Sequence, residues 1–519
     1  MTKRIPISWP LIGVTICLAI AAFQGCLRQD NPANVFEQAT HEDQGIAISP
    51  DYQGVTIPYN IAPLNFKVLE PAQRYLLKIH APQGDPLWVT STQGNMRIPM
   101  QDWHSLLAQN QGQSLTFEVA LCNPNGRWIR RAPWSIHIAE QPIDPYLAYR
   151  RLKAQFNWFL DLGIYQRNLE DFTESLILHG RSFKNGCLNC HSFQERDPQH
   201  MTLGIRSSDY GVGCLYIENG TVDKIGTKFG HTCWHPSGKV IAYSAFDVRI
   251  FFHTATPDVQ DVMEMDSMLA YYRADKENVA TTAVLADPKR LETQPTWSPD
   301  GTYLYFASAP KLWTDMEHFP PDNFTDLRYD IQRIPYNVDT DTWGKIETVV
   351  SAEQTGKSCL MPRISPDGRF LLFSQCDYGC FPIYLASTDL YIKDLMNNGD
   401  IHKLSCNSEF TDSWHTWSSN SRWIVFSSKR PTGRFTRLYI SFIDEHGKAS
   451  KPFVLPQKNP EFYDSMLYIY NLPELISGPV TVSQRHLIQA VRSSYAIEVD
   501  ALTGATPKAG PWKDKVDSR

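Results

Sequence analysis

The sequence predicts a mainly β protein in three parts: an N-terminal β-sandwich, a short helical segment and a C-terminal β-propeller of five to seven blades. Three observations predict it. Aromatic residues make up 12% of the 519, and Pro 35 with Gly 29 supply turns, a composition suited to strands joined by tight reversals. Short alternating apolar runs recur up to about residue 140. Beyond about residue 200 a strand–turn–strand unit repeats at intervals of tens of residues. With 42% hydrophobic and 20% charged residues the chain is globular, and its length allows three to four domain-sized units. The balance of 49 basic and 55 acidic residues, net −6, argues against a nucleic-acid binder, which needs a basic face.

The first 25 residues predict an export signal. Lys3 and Arg4 precede an apolar run from Leu11 to Phe23. The run has the length of a signal-peptide core and is shorter than the about 20 residues a membrane span requires. It ends in Phe23-Gln24-Gly25-Cys26, which resembles the lipobox of bacterial lipoproteins, with Gln24 a departure from the small residue usual there. The resemblance implies lipidation at Cys26, a membrane anchor and a place in the bacterial cell envelope, facing the periplasm or the cell surface. An ordinary secretory signal or a membrane anchor with an incidental Cys26 is the other reading. Losing residues 1–25 removes two cations and no acid, moving the charge from −6 to −8. Residues 26–44 are polar without clear periodicity and read as a tether.

Residues 45–141 carry the alternation of half-buried strands, as in Tyr75–His80, Leu115–Leu121 and Trp134–Ile138. Their number and spacing predict a sandwich of immunoglobulin-like size, with no chemistry of its own and the character of a spacer or contact domain.

At Pro142 the pattern changes. Leu147, Leu152, Phe156, Phe159 and Leu160 fall near helical spacing, so a helix is predicted over 145–161. Asn168 is a candidate N-cap for a second helix over 169–178, with Glu170 and Asp171 in its first turn. The segment 142–204 is therefore read as a small helical unit.

Four clear repeat copies follow: HTCWHPSGKVIAYS (231–244), QPTWSPDGTYLYFAS (294–308), MPRISPDGRFLLFS (361–374) and HTWSSNSRWIVFSS (415–428). Aligned on Trp234, Trp297, Ile364 and Trp417 they are 63, 67 and 53 residues apart. Each reads as a strand, a tight Ser-Pro-Asp-Gly-like turn and a second strand, the unit of a propeller blade. These copies resemble the TolB-like, WD40-related propeller repeats. The resemblance covers about residues 205–500; Ser237 replaces Asp in the first copy, and Ser419-Asn420-Ser421 replaces Pro-Asp-Gly in the fourth. The propeller is assigned to 205–505 and a tail to 506–519.

The motif that carries chemistry is Cys187-Leu188-Asn189-Cys190-His191, a C-x-x-C-H. Two thiols three positions apart can bond the two vinyl groups of one porphyrin, and the adjoining histidine can ligate its iron. One covalent haem c per chain is expected, held by Cys187 and Cys190, with His191 as proximal ligand. For the sixth position Met201 is ranked first, then His200, then an open site; His179 and His231 are further donors for a bis-histidine arrangement. A redox dithiol, a zinc site with Cys376 and Cys380, and a Cys187–Cys190 disulfide are the competing readings. Cys376 and Cys380 flank an Asp-Tyr-Gly turn and are the candidate local disulfide. His231, His235 and His415 lie at blade turns, from which they could face a central funnel.

No G-x-S-x-G elbow, phosphate-binding loop or H-E-x-x-H occurs, so no hydrolase, kinase or metalloprotease chemistry is indicated. Asp339–Gly344 begins like a calcium loop, but Trp343 and Val350 occupy ligand positions, so it reads as a hairpin turn. The expected function is electron transfer or haem-linked sensing with a protein partner docked on the propeller. The alternative is an envelope scaffold or binding module, in which the propeller docks protein or glycan and the haem is structural or absent.

Overall fold

The computed structural model describes residues 31–153, 161–227, 229–254, 258–313, 318–397 and 399–497. The signal region with Cys17 and Cys26, and the tail, lie outside the described residues. The chain is mainly β, with a sandwich followed by a closed propeller.

The sandwich pairs a seven-stranded sheet with a three-stranded one. Its longest strands are Ser114–Cys122 and Arg74–His80, which pair antiparallel, and Trp134–Ala139 joins the other side of Ser114–Cys122. Leu77, Ile79, Leu115 and Val119 alternate inward and are fully buried, the pattern a one-sided core imposes. Helix Met100–Gln109 adds Trp103, Leu106 and Leu107 to the same core.

The tether expectation for 26–44 is corrected over its described part. Asn31 caps a helix, Pro32–Gln38, and Thr40–His41 pairs in parallel with Ile129–Arg130. Phe36, 2% exposed, packs edge-on against Trp88 at 5.5 Å. Burying one Phe contributes about 2–3 kcal/mol, enough to dock a mostly polar segment.

The propeller has six blades, each a sheet of four strands or, in blade 4, five. Taking the innermost strands in order round the ring, they are Tyr468–Ile476, Cys187–Phe193, Gly230–Trp234, Arg290–Trp297, Ser358–Ile364 and Asp412–Trp417. Blade 1 is composite: the C-terminal strand Tyr468–Ile476 pairs antiparallel with Tyr146–Lys153, which continues into Leu162–Asn168 and Glu174–His179. The ring therefore spans residues 146–476 and begins well before the predicted 205.

In place of the helices predicted over 145–161 and 169–178 the described residues form strands Tyr146–Lys153 and Glu174–His179, with a bend over 169–173. A blade is covered on both faces by its neighbours, so the strict two-residue period disappears; Leu147, Ala148 and Tyr149 are all fully buried in succession. The remaining apolar spacing imitated a helix. The segment 142–204 thus supplies the outer part of blade 1 and the inner half of blade 2.

The turns explain the repeat. Ser298 Oγ bonds Asp300 at 2.5 Å and accepts from Tyr303 N at 3.0 Å. Ser365 does the same with Asp367 and Phe370 N. In the divergent copy Ser418 bonds Asn420 at 2.6 Å and Trp423 N at 2.9 Å, and Ser421 adopts the left-handed φ of 61° that Gly301 and Gly368 have in theirs. The bonding, rather than the letters, is what repeats. Asp339–Gly344 is a hairpin turn, with Asn337 accepting from Asp339 N and Thr340 N.

Sandwich and propeller share one apolar cluster that includes Phe66 and Ile57 on one side and Trp423, Val425 and Phe453 of blade 6 on the other. Asp144 closes the seam, accepting from Ser419 N at 2.8 Å and Ser419 Oγ at 2.6 Å.

Candidate functional site in the propeller channel

Every innermost strand carries one non-glycine residue with left-handed backbone: Cys190 (φ 53°), His231 (48°), Gln294 (56°), Met361 (57°), Trp414 (50°) and Leu472 (52°). At each of these the strand register shifts, the mark of a β-bulge. Left-handed backbone costs a residue with a Cβ on the order of 1 kcal/mol. Six such bulges at one level are therefore a structural ring built into the fold.

The ring residues bond one another. Cys190 Sγ accepts from His231 N at 3.1 Å. Gln294 accepts from Met361 N at 2.7 Å and donates to Cys380 O at 2.9 Å. His231 and Trp414 stack at 6.1 Å.

One residue further along, each strand presents His191, Thr232, Pro295, Pro362, His415 or Pro473. Two residues further come Ser192, Cys233, Thr296, Arg363, Thr416 and Glu474, and all six line one funnel of about 190 Å³. Three residues further the positions are Phe193, Trp234, Trp297, Ile364, Trp417 and Leu475. The C-x-x-C-H is thus part of the repeat: Cys190-His191-Ser192-Phe193 is the blade 2 copy of His231-Thr232-Cys233-Trp234. Sequence reasoning missed this copy because no Pro-Asp-Gly turn follows it; the bulge position was the signal that could have found it.

The funnel lining carries one ion pair, Arg363 with Glu474, and two further charges, Arg196 and the exposed Glu195. Arg363 Nη2 lies 3.4 Å from Glu474, whose other oxygen accepts from Thr416 Oγ1 at 3.3 Å. Burial pushes the Glu474 carboxyl up, against the opposing pull of Arg363 and Arg196. Arg196 bonds Trp417 O through Nε at 3.2 Å, and burial lowers its pKa. The charges of Asp144, Glu474 and Glu195 oppose that effect.

The predicted haem donors are placed as follows. Cys187, Cys190 and His191 all lie on the inner strand of blade 2 and are buried. Cys190 turns its sulfur toward blade 3, where His231 N meets it. His191 turns its ring toward blade 1, beside the backbone of Ala148 and Leu472 and near Arg150; burial, then the Arg150 charge, lowers its pKa to about 3. Both ring nitrogens are buried against the backbone of Ala148 and Leu472 and, among the described residues, neither makes a hydrogen bond of good geometry. The donor types suit a c-type haem, and a neutral unbonded imidazole suits an iron ligand. Their arrangement does not, because Cys190 and His191 address opposite neighbouring blades, so the donors do not converge on one porphyrin.

Met201 is fully buried in the apolar cluster between blades 1 and 2, in register with Phe193. His200 is held by Asp197 at 2.8 Å, and His179 by Asp161 at 3.1 Å on the outer strand of blade 1. His235 braces a turn, contacting Ser237 and Gly301 O. His415 contacts Leu372 O at 3.3 Å; it faces the neighbouring blade rather than the funnel. Cys376 and Cys380 are unbridged thiols: Cys376 donates to Tyr378 O, while the turn at Gly379 (φ 77°) carries Cys380 to Val262 O on blade 3. The local disulfide reading is corrected accordingly. Among the described residues no three His, Cys, Asp or Glu side chains gather as a metal site, and no helix is long and apolar enough to cross a membrane.

On the side of the ring away from the funnel, beside Thr293, Glu264 is 1% exposed and accepts from Tyr329 Oη at 2.6 Å. Burial pushes its carboxyl up to about 7.

No family model and no curated protein matches the chain. Among solved structures it is similar to an oligogalacturonate lyase from Vibrio parahaemolyticus (TM-score 0.34, 14% identity, covering 73% of this chain and 100% of that one). It is also similar to a putative 6-phosphogluconolactonase from Bacteroides uniformis (0.31, 12%, 66% and 99%). Prolyl oligopeptidase B from Galerina marginata is a third (0.33, 13%), where the match covers 58% of this chain and only 42% of that one. At these identities and TM-scores the likenesses bear on none of the chemistry.

Proposed function

We propose that the chain is a binding module of the cell envelope that receives a ligand or a protruding partner group in the funnel of its propeller. One observation carries this reading. All six blades place a polar residue at the funnel position, Ser192, Cys233, Thr296, Arg363, Thr416 and Glu474, while the position one residue further on is apolar in every blade. A concave site with convergent polar groups is the usual form of a ligand site. Export and a lipid anchor at Cys26 belong to the same proposal and rest on residues 1–26 of the sequence.

Photo-crosslinking in envelopes tests it. A benzoylphenylalanine at Thr296 in the funnel should give a discrete adduct, and one at exposed Lys403 on the outer edge of blade 5 should not. Equal labelling from both positions, or none from Thr296, sinks the reading.

A second reading, haem c attachment with electron transfer or sensing, is favoured by the two unbonded His191 nitrogens beside Cys187 and Cys190. Holding a haem, which would supply one-electron chemistry, at Cys187, Cys190 and His191 would require the inner strand of blade 2 to rearrange, because Cys190 and His191 address opposite blades in this fold. Mature protein made with haem-maturation machinery should then show a c-type pyridine haemochrome band that Cys187→Ala/Cys190→Ala abolishes; absence of the band rejects this reading. Carbon monoxide binding by the reduced form would count against Met201 as a ligand.

A further inference from the structure

We propose that the outer edge of blade 2 takes up an extended peptide of a partner protein as an added β-strand, seated between strand Thr221–Ile225 and helix Gln484–Arg492. This surface lies on the rim of the propeller, and the proposal stands independently of the funnel reading.

The direction of the backbone groups comes first. Strand Thr221–Ile225 is the outermost of its blade and pairs on its inner side with Gly211–Glu218. Ile497 meets its outer side: its N–H donates to Lys224 O at 2.7 Å, and its carbonyl accepts from Gly226 N at 3.0 Å. Lys224 and Gly226 therefore turn their peptide groups outward. In a strand this direction alternates from residue to residue, so Val222 also presents its N–H and C=O outward, while Thr221 and Asp223 bond inward. Among the described residues nothing bonds the outward pair of Val222. The chain thus docks one residue of its own on this edge and leaves the adjoining position open. Ile497 runs parallel to Ile225, so its direction leads away from Val222 and leaves that position to another polypeptide.

Shape comes second. Helix Gln484–Arg492 stands beside the open stretch, with His486, Gln489 and Ala490 across a groove of about 470 Å³ that Tyr495 flanks. Lys224 fixes the width of the groove: its Nζ donates to Tyr210 O at 2.9 Å, Val491 O at 3.1 Å and Ser493 O at 3.2 Å. Leu487 and Val491 anchor the helix in the core between blades 1 and 2. From its rise and the strand and layer spacings, one strand residue occupies roughly 160 Å³, so the groove takes about three residues, the length of Thr221–Asp223. The lysine of its floor is spent on carbonyls, so recognition falls to the backbone pair of Val222 and to the small side chain of Ala490, which favours a small apolar residue opposite it. An extended peptide carries the alternating N–H and C=O groups that match an open strand edge.

The test pans a phage library of random heptapeptides on the full mature chain and measures the enriched peptides by fluorescence anisotropy. Methylating the alternate backbone amides of an enriched peptide should weaken it about tenfold or more. Val222→Pro removes the outward N–H at a position that carries no inner ladder bond, and should weaken binding to the same degree with an unchanged circular dichroism spectrum. Gln489→Trp fills the groove from an exposed helix position and should act alike without touching the strand, so it decides the matter if Val222→Pro unfolds. No enrichment overturns the proposal, and so does binding that amide methylation or Gln489→Trp leaves unchanged. Enrichment confined to a chain ending at Asp500 would assign the groove to the remainder of this chain and overturn a partner strand.

Discussion

His191 and His415 are the same residue of the blade repeat, each one position beyond a left-handed residue of an inner strand, Cys190 at φ 53° and Trp414 at φ 50°. Each turns its imidazole against the preceding blade, and burial lowers both to about 3, helped by Arg150 in one case and Arg363 in the other. Two blades thus use a neutral imidazole where three use proline, and the histidine of the C-x-x-C-H doubles as an inter-blade contact.

Acid sensitivity follows from that pair. Both imidazoles are neutral when folded and titrate near 6.5 when unfolded, so between about 6.5 and 3 the unfolded chain binds more protons. The stability they contribute is complete above pH 6.5 and is lost progressively as pH falls toward 3. His415→Gln should shrink the difference in urea-unfolding free energy between pH 7 and pH 4.5 by about 2–3 kcal/mol. An unchanged difference would show that His415 is not neutral in the fold.

Glu264 works in the opposite sense. Its carboxyl titrates at about 7 when folded and near 4.5 when unfolded. Its contribution is therefore full below pH 4.5 and lost as pH rises through 7. Glu264→Gln keeps an acceptor for Tyr329 and removes the charge. The variant should gain Tm relative to the parent at pH 8 by more than at pH 5; equal shifts at both would exclude a buried ionisation at this position.

Gln294 joins three blades through its bonds to Met361 N and Cys380 O and through its own N–H, which donates to Ser244 Oγ at 2.9 Å. Gln294→Ala leaves a buried N–H and a buried carbonyl without their side-chain partner, at about 1–3 kcal/mol. Gln294→Gly adds relief of the left-handed backbone, about 1 kcal/mol, and should be the milder of the two. Chemical denaturation of both variants checks the order, and the reverse order would count against bulge strain at this position.

Asp144→Ala should uncouple the two domains. The substitution removes both bonds to Ser419 at a position only 8% exposed, costing about 1–3 kcal/mol. Limited proteolysis should then cut near residues 140–145 faster than in the parent, and differential scanning calorimetry should show a broadened or split transition. A single, unshifted transition would mean that the shared core around Trp423 holds the seam without Asp144.

Much of the architecture was legible from local pattern. Strands Arg74–His80, Ser114–Cys122 and Trp134–Ala139 alternate over part of their length, and the alternation breaks at Leu76 and Ala120, which pack against Phe36 on the other face. Blades 3 to 6 announced themselves through their turns. Blades 1 and 2 did not: Tyr146–Lys153 is buried on both faces and pairs with Tyr468–Ile476, more than 300 positions away, and neither fact leaves a local period. The blade 2 turn runs through left-handed Glu195 and Arg196 instead of Pro-Asp-Gly. The funnel was invisible for a related reason. Its six residues are spread from Ser192 to Glu474 and meet only through the ring; each alone is an ordinary Ser, Thr, Cys, Arg or Glu.

The composite blade 1 sets a schedule for the whole molecule. Tyr146–Lys153 emerges early in synthesis, but its neighbour on the axial side is the last propeller strand made. Until residue 476 arrives, that edge stays unpaired and liable to recruit other strands. A nascent chain stalled or clipped before Tyr468 is therefore left with five finished blades and a sticky seam, so the final nine residues of the ring decide whether it closes.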